Sequence, residues 1–273
     1  MKTRIIAGLC MLPLLLFLYW GGWPLLVITA AICYMGVTEF YNGWEAMGVH
    51  PSRPVAYVMT TVLFAVHIIC QTLDVEGVEN YFLLIWLVLA VAASLMYGWK
   101  INERGAYDAI ATVTGLVYVV FFAFHIVLID CTLHNMVWIV IIASFGSDIM
   151  AYFTGMLLGK HKLAPVLSPK KTIEGSIGGV IGAGLLCLVF GLIVDGAGKG
   201  LLLYFALGAI AGAVSQCGDL TASAFKRKMG IKDYGKLIPG HGGIMDRFDS
   251  VIFTAPFVYI CIVIMMIVIG GTV

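Results

Sequence analysis

Residues 175–194 read GSIGGVIGAGLLCLVFGLIV, a run of twenty positions without a single charge, with Glu174 just before it and Asp195 just after. At a helical rise of about 1.5 Å per residue, such a run has the thickness of a bilayer's hydrocarbon core and is read as a membrane-crossing helix. The pattern recurs along the chain. Apolar segments lie at roughly 5–20, 24–41, 55–73, 81–98, 108–129, 135–158, 173–195, 201–220 and 251–269. The 273 residues are 61% hydrophobic and only 11% charged, with a mean hydropathy of +1.02. No single soluble core hides so many fully apolar runs, and the alternating pattern of a membrane β-barrel is absent. The expected fold is therefore all-α: a polytopic integral membrane protein of about nine transmembrane helices. It reads as a single transmembrane domain over 1–273, with N-terminal helices at 1–135 and the charged motif loops and their helices at 136–273.

Net charge is +1 and says little, but the placement of the charges is informative. Cytoplasmic loops of membrane proteins accumulate Lys and Arg. Nine spans with a cytoplasmic N-terminus put all sixteen Lys and Arg except Lys199 on one side, and a miscount by one span would scatter that partition. The opposite connections carry Asp74, Glu76, Glu79, Asp130 and Asp195. Lys2 and Arg4 precede the first segment as they would in a signal peptide. That segment runs into Gly-Gly-Trp-Pro at 21–24 rather than a small-residue cleavage site, so it reads as a retained helix. The expected location is the cell (inner) membrane, with the charged loops facing the cytoplasm.

The seven cysteines are scattered singly, with no CxxC pair, which favours small packing residues over a zinc site or a disulfide framework. Many of the 32 glycines have a packing explanation too: the spacings Gly155/Gly159, Gly175/Gly179 and Gly208/Gly212 let helices approach closely, within one protomer or between the two of a possible homodimer.

Two cytoplasmic connections hold the chemistry. The first starts inside the sixth span at Asp148, passes Lys160, His161 and Lys162, and ends Ser168-Pro169-Lys170-Lys171-Thr172-Ile173-Glu174 at the head of a fresh helix. Thr172 is placed to hydrogen-bond first-turn amides and Glu174 is favourable in that turn. Free amides at a positive helix end, with two lysines ahead of them, make a seat for an anion. Gly155 to Lys160 lacks the spacer and hydroxyl of a P-loop, and that reading is discarded. The second connection is Ser223 to Asp249, SAFKRKMGIKDYGKLIPGHGGIMDRFD. It combines a basic run, a Pro-Gly-His-Gly-Gly turn whose amides can face a ligand, and two aspartates three residues apart. With Asp219 at the end of the eighth span, Asp246 and Asp249 offer hard oxygens to Mg²⁺, and Asp219 and Ser223 share a face if that helix continues. His67 and His125, alone in apolar spans, read as hydrogen-bonded core residues.

Ser223-x-Phe225-Lys226-Arg227, then Lys232-Asp233, Gly235, Pro239, His241-Gly242-Gly243 and Asp246-Arg247-Phe248-Asp249 resembles the signature of the phosphatidate cytidylyltransferases, or CDP-diacylglycerol synthases. Asp148-x-x-Ala151-Tyr152-Phe153 and Ser168 to Gly175 are similar to that family as well; the first 140 residues match only in being apolar. The resemblance implies conversion of CTP and phosphatidic acid to CDP-diacylglycerol and pyrophosphate, in phospholipid biosynthesis, with Mg²⁺ as cofactor and membrane lipid, not nucleic acid, as partner. It implies Asp219 and Asp246 as first metal ligands, with Asp249 and Asp148 as helpers. Lys170, Lys171, Lys226 and Arg227 would clamp phosphates, and His241, Gly242 and Gly243 would contact CTP or the leaving pyrophosphate. Asp148, Ser168, Thr172, Glu174, Ser223, Lys232, Asp233 and Arg247 complete the substrate-binding set. Two other classes remain. A CDP-alcohol phosphotransferase would carry a DG…AR…G…D…D motif, which is not found. A transporter or channel would spread polar residues through the bilayer, whereas here Asp148, Asp219 and Glu39 stand almost alone among charges gathered on one face.

Overall fold

The computed structural model describes residues 15–73, 78–100, 102–198, 200–237 and 242–269. Its helices are α1 (Gly22–Glu45), α2 (Arg53–Thr72), α3 (Val78–Tyr97), α4 (Ala106–Gly115), α5 (Phe122–Leu133), α6 (Val137–Leu158), α7 (Ile173–Val194), α8 (Leu201–Lys228) and α9 (Met245–Ile269). A π-helical stretch, Leu116–Phe121, joins α4 to α5, and a 3₁₀ turn, His134–Met136, joins α5 to α6. Among the described residues, six helical stretches are long and apolar enough to cross a membrane. One of them, Ala106–Leu158, has 53 residues, or about 80 Å, which is more than two hydrocarbon thicknesses. The protein is thus an α-helical polytopic membrane protein, as the hydropathy predicts. The residues at 1–14, which hold most of the first expected span, lie outside the described set.

One short connection departs from the all-helical expectation. Lys162–Ala164 (β1) and Ser168–Thr172 (β2) pair as an antiparallel hairpin, with Lys162 opposite Thr172 and Ala164 opposite Ser168. The sequence reading treats this stretch as a loop. A three-residue strand has too little pattern to be seen in advance, and the pairing satisfies backbone groups where the chain leaves one helix for the next.

The chain forms two compact units that interleave along the sequence. The first contains Trp23–Phe124 and Lys228–Arg247. Its interior is aromatic: Phe40 stands edge-on to Tyr118 at 5.6 Å, and Trp86 stacks on Phe121 at 6.2 Å while its indole N–H donates to the Met59 carbonyl at 2.8 Å. The start of α2 is fixed by Ser52, whose hydroxyl accepts the Val55 amide, and by Arg53, which forks onto Glu45.

The second unit contains His125–Arg227 and Phe248–Val273. Here α6, α7 and α8 approach through bare backbone. A Cβ added at Gly175 would stand 2.7 Å from the Ala151 carbonyl, and one at Gly208 would stand 2.9 Å from the Ala183 carbonyl. Contacts that close leave no room for any side chain, which is the physical content of the small-xxx-small spacings. They bring polar groups on three helices to one place.

Candidate active site

The site grows from the end of β2. Thr172 is extended (φ −120°, ψ 154°) and its Oγ1 accepts the Gly175 amide at 3.2 Å, so the last residue of the strand is also the N-cap of α7. That double duty holds Lys170 and Lys171 at the mouth of the helix. Glu174, in the first turn, accepts the backbone N–H groups of Lys160 and His161 at 3.1 and 3.2 Å and pairs with His161 Nδ1 at 2.6 Å. Its carboxylate therefore ties the start of the hairpin to the helix, a different use from the substrate contact that the resemblance implies.

Beside the hairpin lies a cavity of about 380 Å³, bordered by α6, β2, α7 and α8. Its lining combines polar side chains, from Asp148, Ser168, Lys170, Lys171, Thr172 and Gln216, with the larger Tyr152, Met156 and Leu163. Lys171 Nζ is shielded from solvent and forms an ion pair with Asp219. Asp148 lies within electrostatic reach of both. One buried ammonium at the edge of the cavity is thus paired with a carboxylate of α8, with a second carboxylate, of α6, in its electrostatic surroundings. In the same unit Lys226 faces Asp249 at 4.0 Å, with both side chains largely buried. Because α8 remains helical through Lys228, Asp219 and Ser223 do stand one turn apart on it.

Asp246 belongs to the first unit, and its surroundings are different. Its Oδ2 accepts the Tyr234 amide at 2.8 Å and the Gly243 amide at 3.0 Å, with the Gly235 amide farther off at 3.5 Å. Gly242 has φ +86°, a left-handed conformation that turns the chain into this arrangement. Glu39, from α1, accepts the Met245 amide at 2.8 Å. The first turn of α9 thus meets two carboxylates, as a positive helix end favours. The Gly243 amide, expected to face a phosphate, donates to Asp246. Lys232 and Asp233 are exposed on the stretch before the turn, and Arg227 is exposed at the end of α8; Arg247 is partly buried in α9. His241 lies outside the described residues.

Among the described residues no three His, Cys, Asp or Glu side chains converge as a ready metal cage. Mg²⁺ does not need one, since it commonly takes one or two carboxylates together with substrate phosphates and water. Asp148 and Asp219 beside the cavity fit that manner of binding. The Lys171 ammonium already held by Asp219 marks a place where positive charge is favoured.

Three features, two in the second unit and one in the first, escape a reading of the residues alone. Gln216, 5% exposed, donates from Nε2 to Ser147 Oγ at 2.9 Å and to the Ser176 carbonyl at 3.0 Å, and its Oε1 accepts the Ser176 hydroxyl. A lone amide in an apolar span is the signal that points to it. Ser176 follows from it. Glu39 stands out in the sequence only as a charge at membrane depth, and its partner lies 206 residues away along the chain.

A family model described as the cytidylyltransferase family matches residues 2–265. A phosphatidate cytidylyltransferase of Staphylococcus haemolyticus is 32% identical over 266 residues, covering 96% of this chain and 97% of that protein. Those of Staphylococcus saprophyticus and Staphylococcus aureus are 46% and 44% identical over 117 residues. These two alignments cover 43% of this chain and 45% of each relative, so the chain matches less than half of their length.

Proposed function

The chain belongs to the cytidylyltransferase family, and on that premise we propose that it joins CTP and phosphatidic acid into CDP-diacylglycerol with release of pyrophosphate. The observation that carries the proposal is the cavity whose lining combines Asp148, Lys170 and Lys171 with Tyr152, Met156 and Leu163. A phosphate-bearing amphiphile has both of the surfaces this cavity complements. In the reaction a phosphatidate oxygen attacks the α-phosphorus of CTP, the bond from that phosphorus to the bridging oxygen breaks, and pyrophosphate leaves with the electron pair. No enzyme nucleophile is needed, because the attacking oxygen is already anionic near neutral pH.

The obstacle is repulsion between anions, so the work of the site is positioning and neutralisation. Lys170 and Lys171 bring two positive charges to the phosphates, and the Thr172 cap holds them there. Asp148 and Asp219 would hold Mg²⁺, which when bound polarises phosphoryl oxygens. Lys171, now paired with Asp219, would turn to a phosphate oxygen of bound substrate and leave that carboxylate for the cation. Lys226, kept by Asp249, is a further cation for the leaving group. Asp246 shapes the glycine turn and holds its negative charge near the start of α9.

The proposal extends to topology. Nine crossings with a cytoplasmic N-terminus would place both motif connections, and hence the active site, on the cytoplasmic face, a reading supported by the partition of Lys and Arg. The test is incubation of the purified protein with labelled CTP, phosphatidate and Mg²⁺. A labelled lipid and pyrophosphate are expected only with all three present, and EDTA abolishes both. Pyrophosphate without phosphatidate, full activity in chelator, or release of CMP instead of pyrophosphate refutes the proposal.

A further inference from the structure

We propose that Gln216 is a positioning residue that sets the spacing of the backbones carrying Asp148, Asp219 and Lys171 and thereby the affinity of the site for a divalent cation. The inference rests on the two-carboxylate site proposed above. The Gln216 amide bonds to α6 through Ser147 and to α7 through both the carbonyl and the hydroxyl of Ser176, while its own backbone is part of α8. Ser147 in turn donates to the Gly212 carbonyl at 3.2 Å, closing the ring back onto α8.

Position in sequence gives the ring its consequence. Ser147 immediately precedes Asp148. Gln216 lies three residues before Asp219, the spacing of neighbours on a helix surface. Ser176 is one turn beyond Thr172, the residue after Lys171. A single amide therefore ties together the three backbones that carry the two carboxylates and the ammonium. The surroundings are cleared for it: a Cβ at Gly179 would fall 2.7 Å from Gln216 Nε2 and 2.8 Å from the Ser147 carbonyl. Interhelical hydrogen bonds within membranes are individually weak stabilisers. Cation binding, by contrast, depends steeply on ligand placement and on the groups that orient the ligands.

Mn²⁺ binding to the detergent-solubilised full-length protein, followed by its EPR signal without nucleotide or lipid, tests this apart from turnover. Gln216→Leu keeps the bulk and removes the bonds. It is expected to weaken Mn²⁺ binding on the order of tenfold or more, as loss of groups that orient metal ligands does, with the cation-free unfolding temperature little changed. Ser147→Ala is expected to weaken binding by a smaller factor. Ser144→Ala is the control, since Ser144 is buried one turn earlier on α6 and its hydroxyl meets no partner among the described residues; it should bind Mn²⁺ as the wild type does. If Gln216→Leu does not fold, Ser147→Ala and Ser176→Ala carry the test. Unaltered affinity in the variants, or an equal loss in Ser144→Ala, overturns the inference. Failure of the wild type to bind Mn²⁺ overturns the cation site itself, and this inference with it.

Discussion

Asp246→Asn and Asp246→Ala separate two uses of one carboxylate. In the structure Asp246 Oδ2 receives two short amide bonds, from Tyr234 and Gly243, and a third at 3.5 Å that is too long to count for much. Asparagine keeps a carbonyl oxygen for those amides and loses only the charge assistance, which costs about 1 kcal/mol or less per bond at this partly exposed position. Alanine removes the one oxygen that accepts both bonds. At about 1 kcal/mol for each lost bond, plus a share of the cost of leaving amides unpaired, local opening of the 234–243 turn should become about 2–3 kcal/mol easier. That is on the order of 30- to 150-fold faster amide exchange at Tyr234 and Gly243. Hydrogen exchange read by mass spectrometry on the detergent-solubilised protein resolves this range, and the CTP-dependent rate is measured alongside.

The metal-holding role that the resemblance implies for Asp246 predicts near-native exchange with at least about a hundredfold loss of rate in Asp246→Asn, and loss of both protection and rate in Asp246→Ala. Unchanged exchange at Tyr234 and Gly243 in Asp246→Ala would refute the account of the turn. If Asp246→Asn keeps more than about half the wild-type rate at saturating Mg²⁺, its negative charge has no part in the chemistry, and the role drawn from the resemblance is wrong.

Lys171→Met strips the counter-charge from Asp148 and Asp219; activity should fall at least about a hundredfold by the labelled-CTP assay, and a rate within twofold of wild type would remove Lys171 from the site. Thr172→Ala removes an N-cap bond and should cost about 1 kcal/mol, read as a lower unfolding temperature, whereas Thr172→Ser should be close to neutral; equal stability of all three proteins contradicts the cap. Gly179→Ala drives a methyl against Ser147, Ala151 and Gln216 and should destabilise by about 1–3 kcal/mol while impairing turnover; a fully active, equally stable variant means that the three helices do not pack as described. Cysteines placed at Lys171 and Lys236 should react with an impermeant thiol reagent only from the cytoplasmic side and one at Glu76 only from outside, and labelling of 171 and 76 from the same side excludes the nine-span topology.

Helix positions are legible in the sequence because a bilayer imposes a one-dimensional rule. A segment that crosses must satisfy its own backbone and carry an apolar surface for about twenty residues, and 55–73 and 173–195 announce helices that the structure places at Arg53–Thr72 and Ile173–Val194. The Thr172 cap is legible for a similar reason, since its partner, the Gly175 amide, lies three residues away. Hydropathy carries no information about which way a side chain points around its helix. The meeting of Lys171 with Asp219, of Gln216 with Ser147 and Ser176, and of Glu39 with the Met245 amide depends on how closely particular helices approach and at what rotation. Motif spacing groups Asp219, Asp246 and Asp249 together as metal ligands, but spacing does not reveal that the Asp246 carboxylate is taken up by amides of its own turn while Asp219 holds Lys171. Sequence determined the class, helices such as those at 55–73 and 173–195, and the chemical vocabulary of the site. Tertiary structure alone decided the pairings, because contacts between helices are set by backbone approach at glycines such as Gly175, Gly179 and Gly208, and that approach belongs to the packed helices together.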